Sequence, residues 1–512
     1  MSRGKPMSAA KTDFLLFLDN NISDNSLYLD TDFIPELINK RIQEKSPDSN
    51  IFISIPESYE GKLKEYPSLF LRDDSDDLSF WKKIFEQTGS SHIAVIKADS
   101  PFIDPDVILE MCDLHSSYLS EFTFSENLPE GFSCEIISCE LISQLPETAE
   151  KTLPLSKVVR SNINQFDVEL FYKDPDIRDK RLGFRTSLPG EKKILENIYS
   201  LNKSIPSYSE IKSVIDSNPE VLYTGPSYVE IELTGACTLD CIFCYRKSLK
   251  NEHGHMTRES MGKILTGLRD FNLPYTVCFG GSGEPLDHPE FYTLAEMVIN
   301  ESLAELIIVE TNGIKADSNF KSFISKPESS KIKVIINNNS LDSKSYESLH
   351  GSDHFESVLA NILSLKELNI DGERIFIQVM KINETDVLAG ETSQKSYLDR
   401  YYDYWEGHKI PIILQKQNTY FNRIPDRRYS DLSPVKRGPC WHLQRDLYIL
   451  SDGTIPFCKQ DIDGEYSALS INDFSIKDIW EKRKNFFTDN YQGKFQQNPD
   501  CKKCDEWYTF NF

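Results

Sequence analysis

Short apolar runs bounded by turn residues recur along the chain, and longer amphipathic stretches separate them. Phe14–Leu18 reads as a strand, Phe33–Gln43 as a helix, Ile51–Ile55 as a second strand and His92–Ala98 as a third, which ends at Asp99-Ser100-Pro101. Pro105–Leu114 reads as a helix, with Asp104 as its N-cap and Pro105 in the first turn. This alternation predicts an α/β domain with a mainly parallel sheet over residues 1–200. Two proline-containing breaks, Ile205-Pro206 and Gly225-Pro226, flank a short helical pattern and place a linker at 201–226. Six further strand-like runs follow: Tyr228–Leu233, Tyr275–Phe279, Glu305–Glu310, Lys331–Ile336, Arg374–Met380 and Ile410–Gln415. With helical stretches between them, they predict a partial (β/α)6 barrel over 227–420. Residues 421–512 read as short strands, turns and one helix at Ile476–Phe487, a small α+β domain. The sequence shows no internal repeat and no low-complexity tract.

Composition narrows the class. At ~150 residues per domain, 512 residues fit about three domains. Hydrophobic residues at 39% and charged residues at 27% are ordinary for a globular protein and exclude a membrane protein, a collagen-like fibre and a wholly disordered chain. A net charge of −23 repels nucleic-acid phosphates and anionic membrane surfaces, so neither is an expected partner. The N-terminal run Phe14-Leu15-Leu16-Phe17-Leu18 falls short of the ~7–15 apolar residues of a signal peptide. No run reaches the ~20 residues of a spanning helix, and a cytoplasmic protein is expected. Eleven cysteines, an odd number in a large chain, make a poor disulfide framework. Seven of them fall in two spaced groups, which points to metal in a reducing compartment.

The first group is Cys237, Cys241 and Cys244, spaced Cys-x3-Cys-x2-Cys just past a strand end, where α/β folds place their chemistry. Three thiolates from one loop are soft ligands for zinc or iron–sulfur. They fall one short of a closed four-coordinate site, and on a four-iron cluster they leave one iron free. A zinc knuckle or three buried cysteines are the plainer alternatives. The segment resembles the signature of the radical S-adenosylmethionine (SAM) superfamily, including the aromatic Phe243 before the last cysteine. Two further stretches match in order. Gly280-Gly281-Ser282-Gly283-Glu284 resembles the family's Gly-Gly-Glu motif, and Thr311-Asn312-Gly313 its Thr-Asn-Gly turn. Taken alone, the glycine stretch is equally a tight strand–helix turn. Glycines let a ligand approach the backbone closely, and carbonyls or a carboxylate can accept from the SAM ammonium. The resemblance implies SAM contacts at Phe243, Gly281, Ser282, Gly283, Glu284 and Asn312. The fourth strand departs from the family pattern of Ser-x-Asp, offering Asn337-Asn338-Asn339-Ser340-Leu341-Asp342 instead. Asn337 keeps the capacity to bind a ribose hydroxyl, though a polar strand end explains it as well. Gln378 and Asn383 are weaker candidates.

The resemblance also implies a mechanism. A [4Fe-4S] cluster on Cys237, Cys241 and Cys244 chelates SAM and cleaves it reductively to methionine and a 5′-deoxyadenosyl radical. That radical then takes a hydrogen from substrate. A reductant such as flavodoxin or ferredoxin is expected.

The second group is Cys440, Cys458, Cys501 and Cys504. Four thiolates fill every site of a cluster or of a zinc ion, and spacing does not separate the two. Beside a radical SAM barrel the pattern resembles the SPASM extension. Only eight residues follow Cys504 and none is cysteine, so one auxiliary [4Fe-4S] cluster is expected, accepting an electron from a substrate radical. Cys278 reads as a buried strand cysteine. The tail Trp507-Tyr508-Thr509-Phe510-Asn511-Phe512 reads as a docking segment.

Residues 92–104 resemble the strand end of cytidylyltransferases that activate sugars, and Leu128-Pro129-Glu130-Gly131-Phe132 resembles their Tyr-Pro-Asp-Gly turn. The resemblance makes Asp99 the counterpart of a Mg²⁺ carboxylate and implies a Rossmann-like, nucleotidyltransferase-type fold. Two parts depart from it. The acidic stretch Asp19–Asp24 stands where a basic loop should cradle phosphate, and Ser187 stands where a second carboxylate is expected. An inactive module follows. The whole arrangement is similar to the spiro-SPASM group, which brings no established substrate. The leading expectation is a radical SAM enzyme acting on a sugar-linked or envelope precursor. A peptide-modifying maturase is the alternative within enzymes. A zinc-stabilised non-catalytic scaffold is the alternative outside them. A sugar nucleotidyltransferase with a regulatory redox domain is disfavoured by the acidic loop.

Overall fold

The computed structural model describes residues 12–20, 22–73, 78–145, 154–250, 254–369, 372–382, 397–428, 434–467, 469–495, 499–504 and 506–509. The chain divides into two compact units, residues 1–222 and 223–512.

Among the described residues, the first unit holds a seven-stranded sheet. Its strands are β1 (Thr12–Phe17), β2 (Ile51–Pro56), β3 (Leu69–Arg72), β4 (His92–Lys97), β5 (Phe122–Ser125), β6 (Glu135–Ser138) and β7 (Val168–Phe171), in the order β3-β2-β1-β4-β6-β5-β7. The pairs β3–β2, β2–β1 and β1–β4 are parallel, as the strand–helix alternation predicts. Strand β6 runs antiparallel to both β4 and β5. Every residue of β1 is buried, and Trp81 stacks on Phe17 with ring centroids 6.2 Å apart. Successive connections leave β1 and β4 toward opposite edges. Such a switch point opens a crevice beyond the carboxyl ends of the two strands. Asp19 follows β1 and Asp99 follows β4 there.

Asp104 caps the helix Pro105–Tyr118, accepting from the Asp106 amide at 3.0 Å. Its second oxygen accepts from the Tyr208 amide at 2.7 Å. Tyr208 is fully buried and opens the helix Tyr208–Ser217, which starts with a capping box of Ser207 and Glu210. Much of the stretch expected as a linker is therefore packed structure. Tyr208, Ile211 and Ile215 are all buried along this helix, a packed face that the flanking prolines do not reveal.

The second unit is built on β8 (Tyr228–Glu232), β9 (Tyr275–Gly280), β10 (Ala304–Thr311), β11 (Ile332–Asn337), β12 (Ile375–Lys381), β13 (Ile412–Lys416) and β14 (Asp446–Ile449), in the order β13-β12-β11-β10-β9-β8-β14. All six pairings are parallel. Strands β8–β13 are the six read from the sequence. Strand β14 comes from the segment expected as a separate small domain and extends the barrel sheet beside β8 instead. All four of its residues are buried. Inside the sheet Tyr228, Cys278, Ile308, Ile335, Phe376 and Tyr448 pack into one cluster, so Cys278 is an interior strand cysteine. Arg483, on the helix Ile476–Tyr491, ties β14 to the tail by donating to the carbonyls of Asp446 (3.1 Å) and Phe457 (2.9 Å). Among the described residues no helix is long and apolar enough to cross a membrane.

Candidate functional site

The first cysteine loop leaves the carboxyl end of β8 and is gripped from two sides. On one side lies the end of the helix Ser343–His350. The Asp240 amide donates to the His350 carbonyl and the Ile242 amide to the Leu349 carbonyl, both at 3.0 Å. On the other side lies the glycine loop after β9. The Glu284 amide donates to the Ala236 carbonyl at 2.8 Å. A Cβ on Gly283 would stand 2.0 Å from the Thr234 carbonyl oxygen and 2.6 Å from that of Ala236, so only glycine fits against the cysteine loop. Asp287 accepts from the Thr238 amide and hydroxyl at 3.1 and 2.9 Å.

Burial raises all three thiols, Cys237 to about 11, and the charge of neighbouring cysteines adds to the shift at Cys237 and Cys241. As free thiols they hold their protons at neutral pH; a bound cation is what makes such a set into thiolates. Among the described residues no three His, Cys, Asp or Glu side chains converge on a single-ion position. A four-iron cluster places each thiolate on its own iron and needs no such point. Three half-buried thiols from one loop fit it.

The motif residues gather round this loop, but not all as free ligands. The Glu284 carboxylate accepts from the Leu286 amide (3.1 Å), the Thr311 hydroxyl (2.7 Å) and the Asn312 amide (2.7 Å), stitching the glycine loop to the turn after β10. Burial outweighs these bonds and lifts its pKa to about 7. Ser282 donates its amide and hydroxyl to Glu232, at 2.9 and 2.5 Å. Gly281 has φ +102°, and a Cβ there would meet Glu232 at 2.7 Å. Asn312 turns its side-chain nitrogen toward Cys237 Sγ at 3.9 Å. Phe243 packs edge-on against His350, with centroids 5.7 Å apart. Asn337 accepts from Gln378 across β11–β12 at 2.6 Å. Asp342 caps the helix Ser343–His350 through the Ser345 amide and hydroxyl. Asn383 lies outside the described residues.

Cys440, Cys458, Cys501 and Cys504 all line one cavity of about 550 Å³, which Tyr228, Glu310, Ile335 and Gln378 of the barrel segment line as well. Burial raises every one of the four thiols, with the charge of the other cysteines next in order for Cys458, Cys501 and Cys504. Four thiols on one cavity are soft donors, and like those of the first loop they meet at no single-ion position among the described residues. Lys459, directly after Cys458, reaches into the barrel and pairs with the buried Glu230 of β8 at 2.7 Å. Burial acts against the ammonium, but Glu230, Glu310 and Tyr420 more than offset it, and Lys459 stays charged. The tail docks on the same segment. The Trp441 amide donates to the Trp507 carbonyl at 3.3 Å, and the Tyr508 hydroxyl lies 3.4 Å from Lys416 Nζ. Residues 510–512 lie outside the described residues.

Sequence reasoning missed Glu230, Glu310, Lys459 and His350. The available signal was charged residues interrupting apolar strands at interior-facing positions, Glu230 in Tyr-Val-Glu-Ile-Glu and Glu310 at the end of Leu-Ile-Ile-Val-Glu. His350 carried none.

In the first unit the crevice between β1 and β4 is crossed by Arg185. Its guanidinium holds Asp99 through Nε and Nη2 at 2.9–3.1 Å, Asp19 at 2.7 Å and Glu130 at 2.9 Å. Lys97 adds a second bond to Asp19 at 2.6 Å. Burial disfavours both charges of the Asp19–Arg185 pair. Lys97 and Arg185 nonetheless hold Asp19 below the usual carboxylate range, and Asp99 and Asp19 keep Arg185 charged. The Ser187 amide also donates to Asp99, at 3.2 Å. The carboxylate likened to a metal ligand is thus taken up by a cation of the chain itself.

Residues 231–389 match the family model of the Radical SAM superfamily, and residues 440–505 match that of SPASM, an iron–sulfur cluster-binding domain. A radical SAM domain implies a [4Fe-4S] cluster and SAM, and a SPASM domain implies further iron–sulfur clusters. An uncharacterized protein of Treponema pallidum (strain Nichols) is 23% identical over 363 residues, covering 69% of this chain and 97% of that one. A tungsten-containing aldehyde ferredoxin oxidoreductase cofactor-modifying protein of Pyrococcus furiosus is 33% identical over 86 residues, 17% of this chain and 24% of its own. Among solved structures, Streptococcus suis SuiB bound to precursor peptide SuiA aligns over 56% of this chain and 74% of its own, at TM-score 0.41 and 14% identity. A cytidylyltransferase from Leptospira borgpetersenii aligns over 41% of this chain and 96% of its own, at TM-score 0.36 and 17% identity.

Proposed function

Proceeding from a radical SAM domain followed by a SPASM domain, we propose an enzyme that cleaves SAM reductively and removes a hydrogen atom from a small polar substrate held between the barrel and the tail cysteines. The observation that carries this reading is the single cavity shared by the barrel segment and Cys440, Cys458, Cys501 and Cys504. Cys237, Cys241 and Cys244 would hold the SAM-binding cluster, and the four tail cysteines one auxiliary [4Fe-4S] cluster. When bound, these groups supply one-electron chemistry: SAM cleavage to a hydrogen-abstracting 5′-deoxyadenosyl radical at the first, and electron transfer at the second.

The chain's own residues do the rest. Gly283 and Glu284 hold the cysteine loop against the turn at Thr311–Gly313. Asn312 and Asn337 stand at neighbouring strand ends as hydrogen-bonding groups for SAM. The cavity wall offers amides and hydroxyls at Gln378, Gln415, Asn418, Gln460, Tyr508 and Thr509, which suit a substrate rich in hydroxyl groups. We take this as favouring a sugar-linked compound over a peptide. A flavodoxin- or ferredoxin-type reductant in the cytoplasm completes the proposal.

The test is anaerobic incubation of the reconstituted chain with SAM and dithionite. Formation of 5′-deoxyadenosine and methionine, absent in the Cys237→Ala/Cys241→Ala/Cys244→Ala variant, is expected. Equal product from both proteins contradicts the assignment of the cluster to this loop. Modification of a ribosomal peptide, with none on nucleotide sugars, would replace the substrate class.

A further inference from the structure

One buried side chain beside the first cysteine loop has no part in the function proposed above. His350 is the last residue of the helix Ser343–His350 and is 2% exposed. Its Nδ1 lies 3.1 Å from Cys241 Sγ. Its Nε2 is buried with no hydrogen-bond partner among the described residues. The ring is fixed by Phe243, edge-on at 5.7 Å, and by Tyr346 of its own helix at 4.4 Å. The backbone is fixed too, because the carbonyls of Leu349 and His350 accept from Ile242 and Asp240 of the cysteine loop. Gly351 closes the helix at φ +82°, and a Cβ there would press on the Asp240 carbonyl at 3.1 Å, so the helix end is seated directly on the loop.

The chemistry of this contact has one direction. A thiolate bound to iron has no proton to give, so the imidazole must donate through Nδ1–H. That leaves Nε2 as a bare lone pair. The other two thiols are approached less closely, Cys244 by the Arg246 amide at 3.5 Å and Cys237 by Asn312 at 3.9 Å. Hydrogen bonds to ligand sulfurs stabilise the electron-rich, reduced form of a cluster, and partners of this kind also fix the ligand's orientation.

We propose that His350 is a positioning residue that donates Nδ1–H to Cys241 Sγ, holding that ligand in place and raising the reduction potential of the cluster on Cys237, Cys241 and Cys244. The proposal rests on the reading that these cysteines hold the SAM-binding cluster.

The test uses the full reconstituted chain and two variants. His350→Phe keeps a flat ring and removes the donor. His350→Asn restores an N–H near the position of Nδ1. Iron per chain is measured first, followed by an EPR-monitored redox titration of the cluster signal that changes on adding SAM. The expected result is equal iron in all three proteins, a more negative midpoint for His350→Phe, and a midpoint near the parent's for His350→Asn. A His350→Phe protein with full iron and the parent's midpoint overturns the proposal. If His350→Phe takes up no iron, His350→Asn decides. Iron and midpoint like the parent's uphold the donor role; loss of iron or a lowered midpoint there overturns it, because ring packing rather than the N–H would then be what matters. Failure of the underlying reading looks different: the Cys237→Ala/Cys241→Ala/Cys244→Ala protein would keep all its iron and the SAM-responsive signal.

Discussion

Glu284 illustrates how a residue readable in sequence has bonds that are readable only in space. Its place in the glycine motif marks it as important, but the carboxylate ends on Leu286, Thr311 and Asn312 of the chain itself. Burial lifts its pKa from 4.5 to about 7. A raised carboxyl pKa means that folding favours the protonated form. Its contribution to stability is full below about pH 4.5 and is lost as pH rises through about 7, a loss on the order of 3 kcal/mol at ~1.4 kcal/mol per unit. The apo-protein should therefore lose thermal stability relative to Glu284→Gln between pH 5 and pH 8, with the gap levelling off above that. Melting curves of the two proteins that stay parallel over this range would contradict the assignment. Gly281 and Gly283 were legible as glycines, but their reason, the proximity of Glu232 and of the Thr234 and Ala236 carbonyls, exists only once β8 and β9 are paired. His350 was illegible because nothing local distinguishes a histidine that ends a helix from one that meets a distant cysteine.

At the scale of elements, the six strands β8–β13 were readable because each is a largely apolar stretch of five to eight residues with helical stretches between successive strands. Strand β14 lies in a segment read only as short strands, turns and one helix, and its membership of the barrel sheet was not legible. A run buried on both faces carries no mark of which edge it will join. Lys459 binds the tail to that barrel. Its ammonium is the counter-charge for Glu230, with Glu310 close by, so Lys459→Met leaves buried carboxylate charge uncompensated. Breaking one side of a buried pair typically costs about 3–5 kcal/mol. Denaturant unfolding should show a loss of that size in Lys459→Met, largely recovered in Lys459→Met/Glu230→Gln. An unchanged midpoint in the single variant would mean that the pair does not hold these segments together. In the first unit, the antiparallel strands β5 and β6 escaped notice for a similar reason, since four residues are too few to show a period.

At the scale of the whole molecule, the two units raise separate questions. In the first, Asp99 and the acidic stretch from Asp19 were legible as chemistry, yet the arginine that bridges them was not, because Arg185 lies far along the chain from both. With Asp99 held by a guanidinium and Asp19 held by two cations, this unit should show no Mg²⁺-dependent turnover of CTP. Turnover that requires Mg²⁺ and vanishes in Asp99→Ala would reverse that reading. On the proposed function, two cysteine groups of the second unit hold two iron–sulfur clusters, one with three protein ligands and one with four. The most direct measurement is iron, sulfide and zinc per chain after anaerobic reconstitution, for the parent and for Cys237→Ala/Cys241→Ala/Cys244→Ala. About eight irons in the parent and about four in the variant, with matching sulfide, are the predicted result. About four irons in the parent, all lost in the variant, with zinc present, would make the tail a zinc site. Zinc in place of iron at both groups would contradict the account at its centre.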